Sequence, residues 1–272
     1  MDLSLVLMLA GLGAFVGFAA GLLGIGGGMI LVPFLTMLLP AVGIPRDLLL
    51  HAAIATAMST ILFTSISSVR AHHARGAIRW DIVMVMGPGL VVGGLLSGGV
   101  VFSWFSDAWL ALFFGLFVVY SAYKMVKGKA PPAGRTMPSH AVTASVGAGI
   151  GFISGFLGAG GGFMSVPFMA RSNVPMHNAV ATSAALGFFI AIANSVGYIY
   201  SGFREVGFQH DMIGYIYWPA LLVVASLSVL TAPLGARCAH SLPVKSLKRV
   251  FAGLLFVLGT YMLYDAYGAF TA

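Results

Sequence analysis

Apolar residues fill long stretches of this chain, and short polar segments separate one stretch from the next. The pattern delimits ten apolar stretches, five in each half, and most of them have about 20 residues, the length of a helix that crosses the hydrocarbon core of a bilayer. They cover 3–23, 28–42, 48–69, 81–104, 108–126, 141–157, 163–173, 178–200, 212–236 and 246–267. The pattern therefore predicts an all-α polytopic membrane protein.

Composition supports a membrane protein over a soluble one. Of the 272 residues, 59% are hydrophobic and 8% are charged, whereas soluble domains carry about 25% charged residues. The net charge of +7 indicates no nucleic-acid partner, because Lys and Arg collect in short loops, as they do beside a cytoplasmic leaflet. With Cys238 as the only cysteine, we expect neither a disulfide framework nor a cysteine metal site. We therefore predict a multi-pass protein of the cell (inner) membrane that uses no cofactor or metal. The sequence leaves its oligomeric state open.

One segment of the chain occurs twice. Residues 17–34 return as residues 151–168, and eleven of these eighteen positions are identical at an offset of 134. Further along, His51–Ala57 matches His177–Ser183 at an offset of 126. Two matched motifs in the same order indicate an internal duplication. The second apolar stretch of each half is short, so we expect it to form a broken hairpin with the stretch before it, and we expect the two hairpins to meet near the midplane.

The distribution of Lys and Arg selects between two topologies. Five segments in each half give inverted repeats and place twelve basic residues on the cytoplasmic side, with Arg46 and Arg204 outside. Four segments in each half give parallel repeats and a split of 8 to 6. The sequence therefore predicts two inverted repeats, 1–126 and 141–272, joined by a cytoplasmic linker at 127–140, with both termini outside.

The repeated motif contains three consecutive glycines, followed five residues later by proline. The glycines are Gly26, Gly27 and Gly28 in the first copy and Gly160, Gly161 and Gly162 in the second. One interpretation is close helix packing through small residues. The other is a substrate site, because interrupted helices at matching places in two halves expose backbone N–H groups that suit an anion. We expect Ala to block transport at Gly27 and Gly161, and to be tolerated at Gly13 in an ordinary helical stretch.

Polar residues of the second motif are further candidates for substrate contact. The hydroxyls of Thr56, Thr182 and Ser183 lie about one and a half turns after a histidine, and they bind either substrate oxygens or carbonyls of their own helix. Asn194 is expected to face the protein interior, because polar groups in lipid are costly. His51 and His177 are predicted near helix starts on opposite faces, either as gate cations or as solvated interfacial residues.

The charged residues that are missing from the middle of the spans also restrict function. No Asp, Glu, Lys or Arg lies in the middle of a predicted span, which disfavours a buried proton relay or an acidic cation site. A neutral core with backbone donors suits an anion better than a metal ion. A serine dyad of an intramembrane enzyme is also disfavoured, because no histidine lies at the depth of Ser97.

At Gly-x-Gly-Gly-Gly followed by Val-Pro-Phe, with Ala-Thr-Ala or Ala-Thr-Ser downstream, the chain resembles the sulfite exporter TauE/SafE family of membrane permeases. The resemblance covers nearly the whole chain. It implies movement, mostly export, of sulfite or small organosulfur anions across the cell membrane. Ala57 departs from Ser183 of the second copy, so equal substrate contact from the two halves does not follow. The alternatives are a permease for another small anion such as a carboxylate, a divalent-cation permease, or a channel.

Overall fold

The computed structural model describes residues 1–23, 26–127, 136–207, 211–238 and 244–271 of the chain. Most of the predicted linker, 128–135, lies outside the described residues, as do Gly24 of the first motif and the side chains of Lys245 and Lys248.

The described part of the chain is built almost entirely from helices. Its α-helices are α1 (Leu3–Leu23), α2 (Gly28–Leu38), α3 (Leu49–His73), α4 (Trp80–Leu96), α5 (Asp107–Lys127), α6 (His140–Leu157), α7 (Gly162–Arg171), α8 (Met176–Glu205), α9 (Trp218–Cys238) and α10 (Val244–Thr271). Eight of these described helices are long and apolar enough to cross a membrane, whereas α2 and α7 have only 11 and 10 residues. The prediction of an all-α polytopic membrane protein is confirmed.

Two of the helices continue as short turns of a different helical type. Helix α2 ends in a 3₁₀ turn, Leu39–Val42. Helix α4 continues as a π-helical turn, Ser97–Val101, and then a 3₁₀ turn, Phe102–Trp104. These turns extend both helices toward the start of α3, where a candidate gate residue lies.

A small β-hairpin precedes α9. Its strands are β1 (Met212–Ile213) and β2 (Ile216–Tyr217), joined by a turn in which Gly214 has a φ of +61°. The hydropathy pattern predicts a span that starts at residue 212, and this boundary is wrong, because α9 begins at Trp218. Met212, Ile216 and Tyr217 of the hairpin are buried, and hydropathy cannot distinguish such a segment from the first turn of a helix.

Helix α2 runs back along α1, so the two form a hairpin. One cleft is lined both by Met1 and Leu5 at the start of α1 and by Leu38 and Val42 at the end of α2. Because α2 has about half the length of α1, the turn between them lies within the helix bundle and not beyond it.

Small residues allow the helices to pack closely. Helix α1 packs on α9, and α6 packs on α4. A Cβ atom at Gly21 would overlap the carbonyl oxygen of Ala232, and one at Gly93 would overlap that of Ala148. At Gly13 a Cβ atom would lie 2.6 Å from the carbonyl oxygen of Val224. The expectation that Ala is tolerated at Gly13 is therefore wrong, because this glycine is part of the α1–α9 contact.

The ends of the helices sort into two groups at opposite ends of the bundle. At one end, the start of α3 meets the start of α5, where the Leu50 N–H donates to Asp107 over 2.6 Å. At the other end, Arg75 after α3 donates to the Ala236 carbonyl at the end of α9 over 3.2 Å. We call these the His51 end and the Arg75 end.

Two contacts between helices of different halves each have a counterpart in which the equivalent helices of the two halves are exchanged. Helix α1 packs on α9 as α6 packs on α4, and α3 packs on α9 as α8 packs on α4. Helices α3 and α8 also pack on each other, and they are the two most buried long helices of the described chain. The inverted orientation of the two repeats stays a prediction.

Candidate substrate site between the two halves

The glycine runs form tight turns that begin the two short helices. Gly27 precedes α2 with a φ of +69°, and Gly161 precedes α7 with a φ of +70°. This left-handed backbone favours glycine because a Cβ atom is strained there. The repeated motif therefore encodes the same local structure in each half.

The two turns lie against each other in the centre of the bundle. A Cβ atom built on Gly26 would be 2.9 Å from the backbone nitrogen of Gly160, and one on Gly28 would overlap the carbonyl oxygen of Gly158. Backbone from the first half thus meets backbone from the second half. The broken glycine-rich hairpins meet as the sequence predicts, since any larger residue would push them apart.

Each turn directs the start of a helix toward this contact. The N–H groups of Ile30 and Leu31 donate to the Gly27 carbonyl, and those of Met164 and Ser165 donate to the Gly161 carbonyl. The N–H groups before these have no acceptor within their own helix, and the helix dipole adds partial positive charge. Two helix N-termini from different halves therefore converge at one place.

A small cavity whose walls include four hydroxyl side chains adjoins the paired turns. Its volume is about 20 Å³, which is room for a single water molecule. Its walls combine turn backbone with residues of α3 and α8, namely Ala20, Gly26, Ile61, Thr64, Ser65, Ser68, Gly160, Ser183, Ala184 and Gly187. The buried hydroxyl of Ser68 has no hydrogen-bond partner, so it is available to a ligand in the cavity.

The hydroxyls of α3 in this cavity were missed by the sequence analysis. Thr64 donates to the Thr60 carbonyl over 3.2 Å, and Ser65 donates to the Leu62 carbonyl over 3.0 Å. A signal for them is present in the sequence, because Thr60, Thr64 and Ser68 follow each other at intervals of four residues. Such spacing places hydroxyls on one face of a helix.

Of the residues in the second motif, Ser183 lines the cavity and the two threonines do not. The Ser183 hydroxyl accepts a hydrogen bond from Ser165 on α7 over 3.1 Å. Thr56 accepts the N–H of Tyr217 before α9, and Thr182 accepts the N–H of Arg79 before α4, both over 3.0 Å. Each threonine thus joins the first turns of its own helix to the start of another helix. This role differs from both predicted ones, which were binding of substrate oxygens and bonding to a carbonyl of the same helix.

Asn194 is buried, as expected, at a second polar patch where α4, α6 and α8 meet. Its amide N–H groups face the carbonyls of Ile190 at 2.9 Å and Gly151 at 3.5 Å, which fixes the orientation of the amide. Its carbonyl oxygen and the hydroxyls of Ser97 and Ser154 are buried without partners. The amide N–H donors of Asn194 are thus occupied, and its unpaired carbonyl oxygen can only accept a hydrogen bond.

The two histidines of the repeated motif have different surroundings. His177 is exposed, in agreement with a solvated interfacial residue. His51 is only 4% exposed. Its Nδ1 contacts a carboxylate oxygen of Asp107, its Nε2 lies 3.2 Å from the Phe102 carbonyl oxygen, and its ring packs on Tyr215 with centroids 5.0 Å apart. For His51, the interpretation as a solvated ring is wrong, because residues of α5, of the 3₁₀ turn after α4 and of the β-hairpin enclose it.

Charged residues divide between the two ends of the molecule. Six of the seven acidic residues lie at the His51 end: Asp2, Asp47, Asp107, Glu205, Asp211 and Asp265. The Arg75 end carries the described basic residues Arg70, Arg75, Arg79, Lys124, Lys127, Arg171, Arg237 and Arg249. The end with positive charge is the one expected to face the cytoplasm.

Eight long apolar helices in the described chain, two short helices that meet at their N-termini and a cavity with hydroxyl groups beside those N-termini are typical of a multi-pass membrane transporter. The chain belongs to the sulfite exporter TauE/SafE family, whose profile matches residues 9–262. It is a transporter of the cell membrane and not an enzyme.

Three of its relatives are named as probable membrane transporters. The chain is 36% identical to a probable membrane transporter protein of Haemophilus influenzae over 92% of this chain and 95% of that protein. It is 29% identical to a probable membrane transporter protein of Methanocaldococcus jannaschii over 92% of both chains. It is 26% identical to the probable membrane transporter protein YunE of Bacillus subtilis over 93% of this chain and 96% of that protein. No solved structure matches this chain.

Proposed function

We propose that this transporter exports a small oxyanion, sulfite or a small organosulfonate, by alternating access around the paired glycine turns. The observation that carries the proposal is the contact between Gly26 and Gly160, which brings the starts of α2 and α7 together beside a cavity lined with hydroxyls. Backbone N–H groups, helix dipoles and hydroxyls are donors for anion oxygens. The family to which the chain belongs supports the same substrate class.

The chemistry of the cavity favours an anion over a divalent cation. Its polar groups are the hydroxyls of Thr64, Ser65, Ser68 and Ser183, together with turn backbone. Divalent cations bind in proteins through several oxygen ligands that usually include carboxylates. In the walls of this cavity the groups present are neutral, and the nearby helix termini are electrically positive, so a cation is repelled where an anion is attracted.

The volume of the cavity favours a carrier over a channel. Space for one water molecule does not hold an oxyanion of sulfur, so a substrate enters only after the two halves move apart. Backbone of both halves forms the contact between the turns, so in this proposal the contact is the barrier that opens during transport. Separation on one side at a time gives alternating access.

The duplication supports an inverted arrangement of residues 1–126 and 141–272, with the turns near the midplane. The exchange of helix contacts between halves is what a pseudo-two-fold axis in the membrane plane produces. Each half then contributes one short helix and one central helix, α3 or α8. The basic Arg75 end faces the cytoplasm in this arrangement, together with the end of α5 and the start of α6.

The substrate class is tested with purified protein in liposomes. We expect saturable transport of sulfite or a small sulfonate, and no transport of nickel, cobalt or magnesium. Transport of short carboxylates in preference to sulfur oxyanions would reassign the substrate within the anions. Metal uptake without any anion dependence would contradict the proposal and favour the divalent-cation permease.

The role of the cavity is tested by filling it. Ser68→Val replaces a free hydroxyl with a methyl group and occupies space beside Gly26 and Gly160, so we expect transport to fall ~10-fold or more, a usual effect of losing a hydrogen bond to a charged ligand. Ser226→Val is the matched control, because its exposed hydroxyl bonds only to the Leu222 carbonyl of its own helix. Equal transport by the two variants would place the substrate elsewhere.

The topology is tested by labelling single cysteines in a Cys238→Ser background. We expect cysteine at Arg204 to react with an impermeant thiol reagent in intact cells, and cysteine at Lys127 or Arg171 to react only after lysis. Labelling of position 171 from outside would contradict the inverted arrangement and favour four segments in each half.

A further inference from the structure

We propose that His51 and Asp107 form a proton-binding site that holds the His51 end of the transporter closed. This inference rests on the proposed transport function, because it assigns the control of one of the two ends that alternating access requires. The repeated motif presents a histidine in each half, yet only His51 is buried. The site is therefore a feature of one end of the molecule.

The proton content of the pair follows from its hydrogen bonds. His51 Nδ1 faces a carboxylate oxygen of Asp107, and Nε2 faces the carbonyl oxygen of Phe102. A carbonyl oxygen only accepts, and an ionised carboxylate only accepts. Both contacts are satisfied when the imidazole carries a proton on each nitrogen beside an ionised Asp107. A neutral imidazole with a protonated Asp107 has the same number of protons.

The surroundings of Asp107 favour the form in which the carboxylate is ionised and the imidazole holds the proton. Its second oxygen accepts the N–H of Leu50 over 2.6 Å. Asp107 is also the first residue of α5, where the helix dipole stabilises a negative charge. The protonated imidazole and the carboxylate then neutralise each other inside the protein.

Other ionisable groups near the pair come from four further elements. Tyr215 of the hairpin packs on the imidazole, and burial, followed by the charges of Glu205 and Asp107, raises the pKa of Tyr215 to about 12. Tyr215 therefore stays neutral when the imidazole exchanges its proton. Glu205 ends α8, and Asp265 on α10 interacts with Asp107 and with Arg46 before α3.

Loss of the proton removes one of the links that close this end. The pair joins the starts of α3 and α5 to the 3₁₀ turn after α4 through Phe102 and to the hairpin before α9 through Tyr215. After one proton leaves for water, a single N–H remains for two acceptors. Either the contact with Phe102 or the contact with Asp107 must then open, and the elements it joined are free to separate.

The experiment sets pH on each side of a proteoliposome independently. We expect transport to fall ~10-fold when the solution at the His51 end is shifted from alkaline to mildly acidic pH, the effect of one charge-assisted hydrogen bond on an equilibrium. The same shift at the Arg75 end should leave the rate unchanged. Transport that ignores pH at the His51 end would overturn the proton site, while absence of any anion transport would instead contradict the proposed function.

Two substitutions should move the pH profile to opposite limits. In Asp107→Asn, the amide can donate to Nδ1 while Nε2–H donates to Phe102, so the end stays closed without an extra proton and transport stays low at every pH. In His51→Ala the link is absent, and transport stays at its alkaline level. His177→Gln is the matched control and should keep the wild-type pH dependence. A wild-type profile in Asp107→Asn would overturn the proposal.

The closure of the His51 end can also be measured without transport, which allows variants with poor activity to be tested. Trp104 on the 3₁₀ turn after α4 and Ile213 on the hairpin are exposed on two of the elements that the pair joins. Spin labels attached to cysteines there in a Cys238→Ser background report their separation. We expect a short, narrow distance distribution at acidic pH and a broader, longer one at alkaline pH. The same distribution at both values would contradict a proton-held closure.

Discussion

Alanine at Gly27 or at Gly161 is expected to abolish transport while the protein still inserts into the membrane. Both residues have positive φ, and a non-glycine residue in that conformation costs ~1–3 kcal/mol. A methyl group would also overlap Val16 at position 27 and Ile190 at position 161. The strain falls on the two turns that meet beside the cavity, so the N-termini of α2 and α7 lose their alignment.

Transport of the proposed anion in proteoliposomes, at matched amounts of inserted protein, measures the effect. Gly11→Ala and Gly149→Ala are matched controls, one in each half, because a Cβ atom at either position meets open space. Gly13→Ala is not a suitable control, because a methyl group at this position disturbs the packing of α1 on α9. Full transport by Gly27→Ala or by Gly161→Ala would mean that the turns serve helix packing alone.

A disulfide between positions 59 and 195 is expected to stop transport, and reduction is expected to restore it. Ser59 on α3 and Ser195 on α8 come from different halves, and their hydroxyl oxygens lie 3.0 Å apart. Sulfur atoms at these positions need to approach by about 1 Å to reach the bond length of about 2.05 Å. Alternating access requires the central helices of the two halves to move past each other, and the bond prevents it.

The test uses Ser59→Cys with Ser195→Cys in a Cys238→Ser background, with transport measured before oxidation, after oxidation and after reduction. Each single cysteine variant is the control for oxidation itself and should transport equally in all three conditions. Complete cross-linking with unchanged transport would show that α3 and α8 do not separate here during the cycle, which contradicts the rocking of one half against the other.

The hydrophobic pattern alone predicted where most helices lie. The stretch 28–42 corresponds to α2 and its 3₁₀ turn, and 108–126 corresponds to α5 within a residue at each end. Such agreement has a physical reason, because in lipid every backbone polar group must be satisfied within the helix and every outward side chain must be apolar. The glycine turns could also be predicted from local sequence, because a backbone with positive φ favours glycine over every other residue type.

The arrangement of side chains around the site depends on contacts between distant parts of the chain. Thr64 and Ser68 face the cavity, while Thr56 holds the start of α9. Hydropathy does not report which face of α3 meets which neighbour, and in a span of mixed small residues the faces differ little in polarity. The sequence analysis therefore found the helix and missed the hydroxyls that line the cavity.

The sequence by itself determined that this chain is a duplicated helical membrane protein with a glycine turn in each half, because those features follow from local composition and backbone conformation. Only the tertiary structure decided which backbone atoms of the two turns lie in contact, and that His51 is buried while His177 is exposed. The two histidines share a motif, but Asp107 and Phe102 are supplied to His51 by chain segments more than 50 residues away. Burial and proton content are properties of that assembled environment, which no local pattern contains.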